Sequence, residues 1–219
     1  MINLNSINLS DINLGGIDLS EIKLGMTYLK INRCVFILDT DGNLVKRTDW
    51  NTSNNNKAAG VAVLSDNCRF VISPDESPSR LAWGGYGTAI SGIVTVNDLD
   101  AAKQDYAGSG NTDKIIAQLG PGNAPAADYC RGVTFKHGKK GYLGSLGEWL
   151  EAWKNKAEVD ACMSLIGETA INTSSFHWTS NQSEPADRYS MLICFGDDEN
   201  ELYSDHKMYT YFVRAFAAL

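Results

Sequence analysis

Residues 176–219 read FHWTSNQSEPADRYSMLICFGDDENELYSDHKMYTYFVRAFAAL. Tyr189, Met191, Ile193 and Phe195 alternate with Ser190, Leu192 and Cys194, the period of a strand whose two faces differ. The first set is large and apolar and suits a core. The second mixes a hydroxyl, an aliphatic group and a thiol, and is expected on the open face. An acidic turn follows at Asp197-Asp198-Glu199, then an apolar run, Phe212-Val213-Arg214-Ala215-Phe216, interrupted by one arginine. An arginine in such a run is costly to bury alone, so a carboxylate partner is expected, with Glu148 the first candidate.

Working outward, GSLGEWLEAW places Ser145 three residues before Glu148, a capping box. Leu146, Trp149, Leu150 and Trp153 then fall on one helical stripe. In AEVDACMSLIG the residues Val159, Cys162, Met163 and Ile166 keep helical spacing and Gly167 supplies a stop. DLDAAKQDYAG, NTDKIIAQLG and AADYCRG read as further short helices. Asp39-Thr40-Asp41-Gly42 and Ser65-Asp66-Asn67 mark hairpins, and RLAWGGYGTAISGI reads as glycine-rich loops. The fold class is α+β.

Trp178-Thr179-Ser180 with Asn181-Gln182, a later Lys207 and the closing YFVRAF resemble the WSSTQ…G-x-V…K…YVRAF pattern. That pattern marks the C-type-lectin-fold variable proteins of diversity-generating retroelements, a group that includes phage tropism determinants. GYLGSLGEWLEAW at Gly141–Trp153 resembles the LPT-x-x-EW helix start shared with the formylglycine-generating-enzyme-like branch, and Asn123–Gly132 is similar to segments of such proteins. The resemblance covers roughly residues 120–219, and residues 60–100 more loosely.

The resemblance implies a C-type lectin-like domain whose carboxyl-terminal surface, about residues 176–211, is rewritten by adenine-targeted mutagenesis to bind a cell-surface protein or glycan receptor. The candidate surface comprises His177, Asn181, Ser183, Asp187, Arg188, Ser190, Leu192, Cys194, Tyr203, Asp205, His206, Tyr209 and Tyr211. Its tyrosines and short polar side chains combine contact area with adaptable hydrogen bonding, as paratopes do. Trp149, Glu148, Trp178, Val213, Arg214 and Phe216 match framework positions. No catalytic residue, cofactor or metal is expected. Glu184-Pro185-Ala186 lacks the amide that the sugar-binding, calcium-dependent branch would place there.

At the amino end Ile2, Ile7, Ile12, Ile17 and Ile22 recur every five residues, each followed two places later by Leu4, Leu9, Leu14, Leu19 or Leu24. Three extended residues and a two-residue corner describe a β-prism or β-solenoid coil and resemble pentapeptide repeats. One coil cannot bury its own apolar face, so residues 1–30 are expected to oligomerise and residues 31–219 to form the ligand-binding domain. The family resemblance implies that the assembly is a homotrimer.

A formal charge of −7, from 26 acidic and 19 basic residues, argues against a phosphate-backbone partner, so no nucleic acid is expected. Apolar residues, 43% of the chain, never run long enough to insert in a membrane. MINLNSINLS lacks the features of a signal peptide, so the expectation is cytoplasmic synthesis followed by virion association. The five cysteines lack a C-x-x-C spacing and the three histidines form no metal motif. Two other functions remain open: a formylglycine-generating-like oxidase, which would need a reactive cysteine pair, and a non-diversified bacterial surface adhesin.

Overall fold

The computed structural model describes residues 23–24, 27–28, 35–96, 99–171, 174–195 and 200–219. The chain divides into two units, 1–33 and 34–219. In the first, β1 (Lys23–Leu24) pairs antiparallel with β2 (Thr27–Tyr28). The rest of the five-residue repeat, and with it the expected oligomerisation surface, lies outside the described residues, as does the Asp197-Asp198-Glu199 turn.

The second unit begins with β3 (Val35–Asp39), β4 (Leu44–Val45), β5 (Ala58–Leu64), β6 (Arg69–Glu76), β7 (Leu81–Ala82) and β8 (Thr95–Val96). Helices α1 (Leu99–Ala102), α2 (Gly108–Leu119) and α3 (Pro125–Gly132) follow, then β9 (Gly141–Leu143), α4 (Leu146–Lys154) and α5 (Lys156–Leu165). The chain closes with β10 (Phe176–Ser183), β11 (Tyr189–Phe195), β12 (Asn200–His206), β13 (Thr210–Tyr211) and β14 (Arg214–Ala218). A six-stranded antiparallel sheet runs β4-β3-β5-β6-β14-β9, and a four-stranded sheet runs β12-β11-β10-β8, with β8 parallel to β10. Strands β13 and β7 pair antiparallel as a separate two-stranded sheet. The architecture is therefore mixed α+β, with the last strand inserted between β6 and β9.

Strand alternation sorts the interior into two cores. Val61, Val63, Phe70, Ile72 and Phe216 meet Trp149, Leu150, Val159, Cys162 and Met163 of α4 and α5 on one face of the six-stranded sheet. Ala59, Ala62, Val71, Ala215 and Ala217 meet Ile115, Ala126, Ala127 and Cys130 of α2 and α3 on the other. The alanines on this second face let helix and sheet approach closely, which substitutes for bulk in filling the layer.

Helix α4 starts where the capping box lies: the Ser145 amide and hydroxyl both donate to Glu148 Oε2, at 2.8 and 2.9 Å. Helix α2 begins earlier than its polar start at Asn111 suggests, because Asn111 is buried inside it and bonds Asp105 and Ser180 rather than capping.

The two sheets share both cores. Met191, Ile193 and Phe195 of β11 pack into the first, while Leu192 packs with Trp178 and Val213 into the second. Both faces of β11 are thus covered, which corrects the expectation of one open face.

Candidate ligand-binding face

Three turns meet at the end of the four-stranded sheet: residues 84–88, residues 184–188, and the β12–β13 turn around Lys207. Their backbones are tied directly. Gly84 N–H donates to Lys207 O at 3.1 Å, Gly87 N–H to Asp187 O at 2.7 Å, and Lys207 N–H to Arg188 O at 2.8 Å. The first turn owes its path to glycine: Gly84 has φ 98°, and a Cβ there would run into the Asn123 carbonyl oxygen.

Beneath the turns the Lys207 side chain is fully buried. Its ammonium donates to Ala186 O at 2.7 Å, Gln182 Oε1 at 2.8 Å and Thr88 O at 2.9 Å, and lies 4.4 Å from the centroid of the Trp83 ring. Three donors meet three acceptors and a π face, so the charge is solvated by dipoles. Burial pushes the lysine down to about 8, only partly opposed by the charge of Asp187.

Above the turns stands a group of rings centred on His206. Tyr189 is 4.3 Å away between centroids, Tyr209 5.5 Å and Tyr86 5.7 Å. Tyr86 and Tyr209 are 45% and 52% exposed, and Met208 beside them 55%. A second group continues along β12 and β13. Tyr203 meets Phe176 edge-on at 5.1 Å, and Tyr211, edge-on to Trp178, donates its hydroxyl to Asp205. Burial and the Asp205 carboxylate push the Tyr211 hydroxyl up to about 12, so it remains a donor at neutral pH. Half-buried Asp187 and exposed Arg188 flank the first group, with Arg188 Nε 3.6 Å from its neighbour's carboxylate.

Of the expected surface residues, Asp187, Arg188, Tyr203, Asp205, His206, Tyr209 and Tyr211 retain exposure on these elements. His177, Asn181, Ser183, Ser190, Leu192 and Cys194 do not: all six are buried. Strands β10 and β11 lie inside the four-stranded sheet between two cores, so their polar residues serve the interior. His177 Nε2 lies 2.5 Å from Glu76 Oε1, Ser190 Oγ donates to Asn181 O at 2.6 Å, and Asn181 bonds Asp105 and the Leu146 amide. Tyr86, Tyr189 and Met208 stand outside the expected set. The one sequence signal for Tyr86 is an aromatic residue flanked by glycines, which is poorly suited to core packing.

The framework positions Trp149, Trp178, Val213 and Phe216 are fully buried. Arg214 is 1% exposed, but Glu148 is not its partner. Its guanidinium donates instead to carbonyl oxygens of Ser73, Pro74, Thr169 and Ala170 at 3.2–3.5 Å. Strand register explains the correction. Arg214 faces Glu76 on β6, whereas Glu148 is drawn to Tyr142, opposite Phe216, whose hydroxyl it accepts at 2.8 Å.

Among the described residues no cluster of three or more His, Cys, Asp or Glu side chains is arranged to hold a metal ion. Burial pushes the thiols of Cys68 and Cys162 up to about 11, and that of Cys130 higher still, so these three are thiols at neutral pH. No helix among the described residues is long and apolar enough to cross a membrane.

Fold and face together define a mixed α+β domain that presents tyrosines and short polar side chains on a loop-built surface. No protein-family description and no curated protein matches the chain. Among solved structures, a fimbrial protein from Bacteroides ovatus is similar over 84% of this chain, with a TM-score of 0.52 at 10% identity. The chain spans about half of that protein, 48% of its length, and the likeness is one of fold.

Proposed function

We propose that this chain is a ligand-display protein with a C-type lectin-like fold, binding a cell-surface protein or glycan receptor through the tyrosine–histidine face. The observation that carries the reading is the exposure of Tyr86, Met208 and Tyr209 around His206 on hydrogen-bonded turns, with Tyr203 exposed further along β12. Large amphipathic rings on a fixed backbone supply contact area at small entropic cost. The similarity of fold to a fimbrial protein supports a place at a cell or particle surface. The raised thiols of Cys68, Cys130 and Cys162 weigh against the oxidase alternative, which needs a reactive cysteine pair.

The motif Trp178-Thr179-Ser180-Asn181-Gln182 with YFVRAF supports diversification by a retroelement in a phage or prophage setting. Diversification then falls on exposed positions: Asp187, Arg188, Tyr189, Tyr203, Asp205, His206, Tyr209 and Tyr211. The five-residue repeat supports trimerisation, which multiplies weak single contacts into avidity. A second reading, a non-diversified surface adhesin, is favoured by the fimbrial likeness alone.

Sequencing sibling copies and any template repeat decides between the two. Adenine-directed substitutions confined to the exposed positions support the first; invariance across copies supports the second. Binding of fluorescently labelled protein to candidate host cells, lost in Tyr86→Ala and Tyr209→Ala, tests display itself. Undiminished binding by both variants would overturn it.

A further inference from the structure

We propose that Lys207 is a positioning residue of the tyrosine–histidine face, its buried ammonium clasping three turns into one preformed surface. The proposal rests on the reading of that face as the binding surface.

The geometry argues it in three steps. First, no helix or strand fixes the places of Tyr86 and Tyr209. Tyr86 sits between Gly85 and Gly87, both at positive φ, in a segment with little conformational preference of its own. Tyr189 and His206 end neighbouring strands, and Tyr209 lies in the turn after β12. Strand register fixes Tyr189 opposite His206, but where Tyr86 and Tyr209 stand against that pair depends on how the turns are joined.

Second, Lys207 joins all three. Its side chain reaches Thr88 in one turn, Ala186 in the second and Gln182 at the end of β10, while its own N–H and C=O bond Arg188 and Gly84. Gln182 is itself fixed, its side chain exchanging hydrogen bonds with Ile90 N at 2.7 Å and Ile90 O at 2.9 Å.

Third, the seat demands a cation with several donors. Three oxygens converge on one point above the Trp83 ring, and an apolar side chain would take this donor from all three, leaving Gln182 Oε1 only the Ile90 amide. No carboxylate joins the set among the described residues, so the ammonium is held by backbone oxygens of two of the turns it organises and by the Gln182 side chain. A surface preset in this way loses less conformational freedom on binding, which raises affinity without adding a contact.

The test uses a probe independent of any natural receptor: an antibody fragment selected on the full-length protein, its footprint mapped by loss of binding to Tyr86→Ala and Tyr209→Ala. Lys207→Met is expected to weaken this fragment about tenfold, chiefly by slowing association, because the binding-competent face becomes a minor population. A second fragment directed at the β3–β4 hairpin should bind unchanged. Unaltered association of the first fragment with folded Lys207→Met overturns the proposal, as does equal weakening of both fragments.

The wild-type protein gives a check that needs no variant to fold. The amides of Gly84, Gly87 and Lys207 should exchange with solvent at least ~100-fold more slowly than in an unstructured peptide. Exchange at the unstructured rate means the turns are not clasped and overturns the proposal. A face that proves to bind no receptor ends the display reading and leaves these results standing.

Discussion

Asn181 donates from Nδ2 to the carboxylate of Asp105 at 2.6 Å, both residues buried where the four-stranded sheet meets α2 and α4. Asp105 also accepts from Asn111 at 2.8 Å, and Asn181 Oδ1 accepts from the Leu146 amide at 2.8 Å. The Leu146 amide is one of the donors that a helix start leaves without a partner inside the helix. One asparagine thus satisfies an acid, a helix terminus and its own interior position.

Asn181→Ala should therefore destabilise the domain by ~3 kcal/mol, since it leaves a buried carboxylate short of a donor and an amide without an acceptor. Urea unfolding measures the loss. A cost under ~1 kcal/mol would mean that water replaces the side chain and the interior is not closed there.

Trp178→Ala should cost ~3–5 kcal/mol, the range for emptying an aromatic site in a packed core. The indole is fully buried, donates to Leu81 O at 2.8 Å and carries Tyr211 edge-on at 5.1 Å. Tyr211 fluorescence or its ring NMR signals should shift with the loss. A stable variant with an unchanged Tyr211 environment would contradict the packing.

Stability should fall as pH rises from about 4.5 to about 7. Burial raises Glu148 from 4.5 to about 7, partly opposed by hydrogen bonds from Ser145 and Tyr142. The folded chain therefore holds a proton that the unfolded chain releases. The contribution is fully present below the unfolded value and lost as pH passes through the folded one. Its size is on the order of 3 kcal/mol. Melting temperatures of wild type and Glu148→Gln across this window provide the check: the glutamine variant should show a flatter profile, and parallel profiles would remove Glu148 as the cause.

Tyr86→Ala and Tyr209→Ala should leave stability within ~0.5 kcal/mol of wild type, because both rings are half exposed and sit outside the cores. Thermal unfolding and cell binding measured on the same samples separate the two properties. Loss of binding together with a large drop in stability would assign the rings to structure instead.

The sequence determined the elements whose signals are local. Leu146, Trp149 and Leu150 define the buried face of α4 because helical period is written into neighbouring residues, and Ser145 with Glu148 marks its start. Hairpins at Asp39–Gly42 and Ser65–Asn67 are legible for the same reason, since turn chemistry is short-range. Tertiary structure decided what lies on either side. Alternation along Tyr189–Phe195 reveals two faces, but only the sheet order, with a second core behind β11, shows that both are covered and that Ser190, Leu192 and Cys194 are interior. Tyr86 joins His206 because the turns at 84–88 and 206–210 are bonded through Gly84 and Lys207, a contact between segments about 120 residues apart that no period encodes. Likewise Arg214 finds carbonyl oxygens rather than Glu148, because the partner of a buried charge is chosen by strand register, and register is settled only when the whole sheet closes.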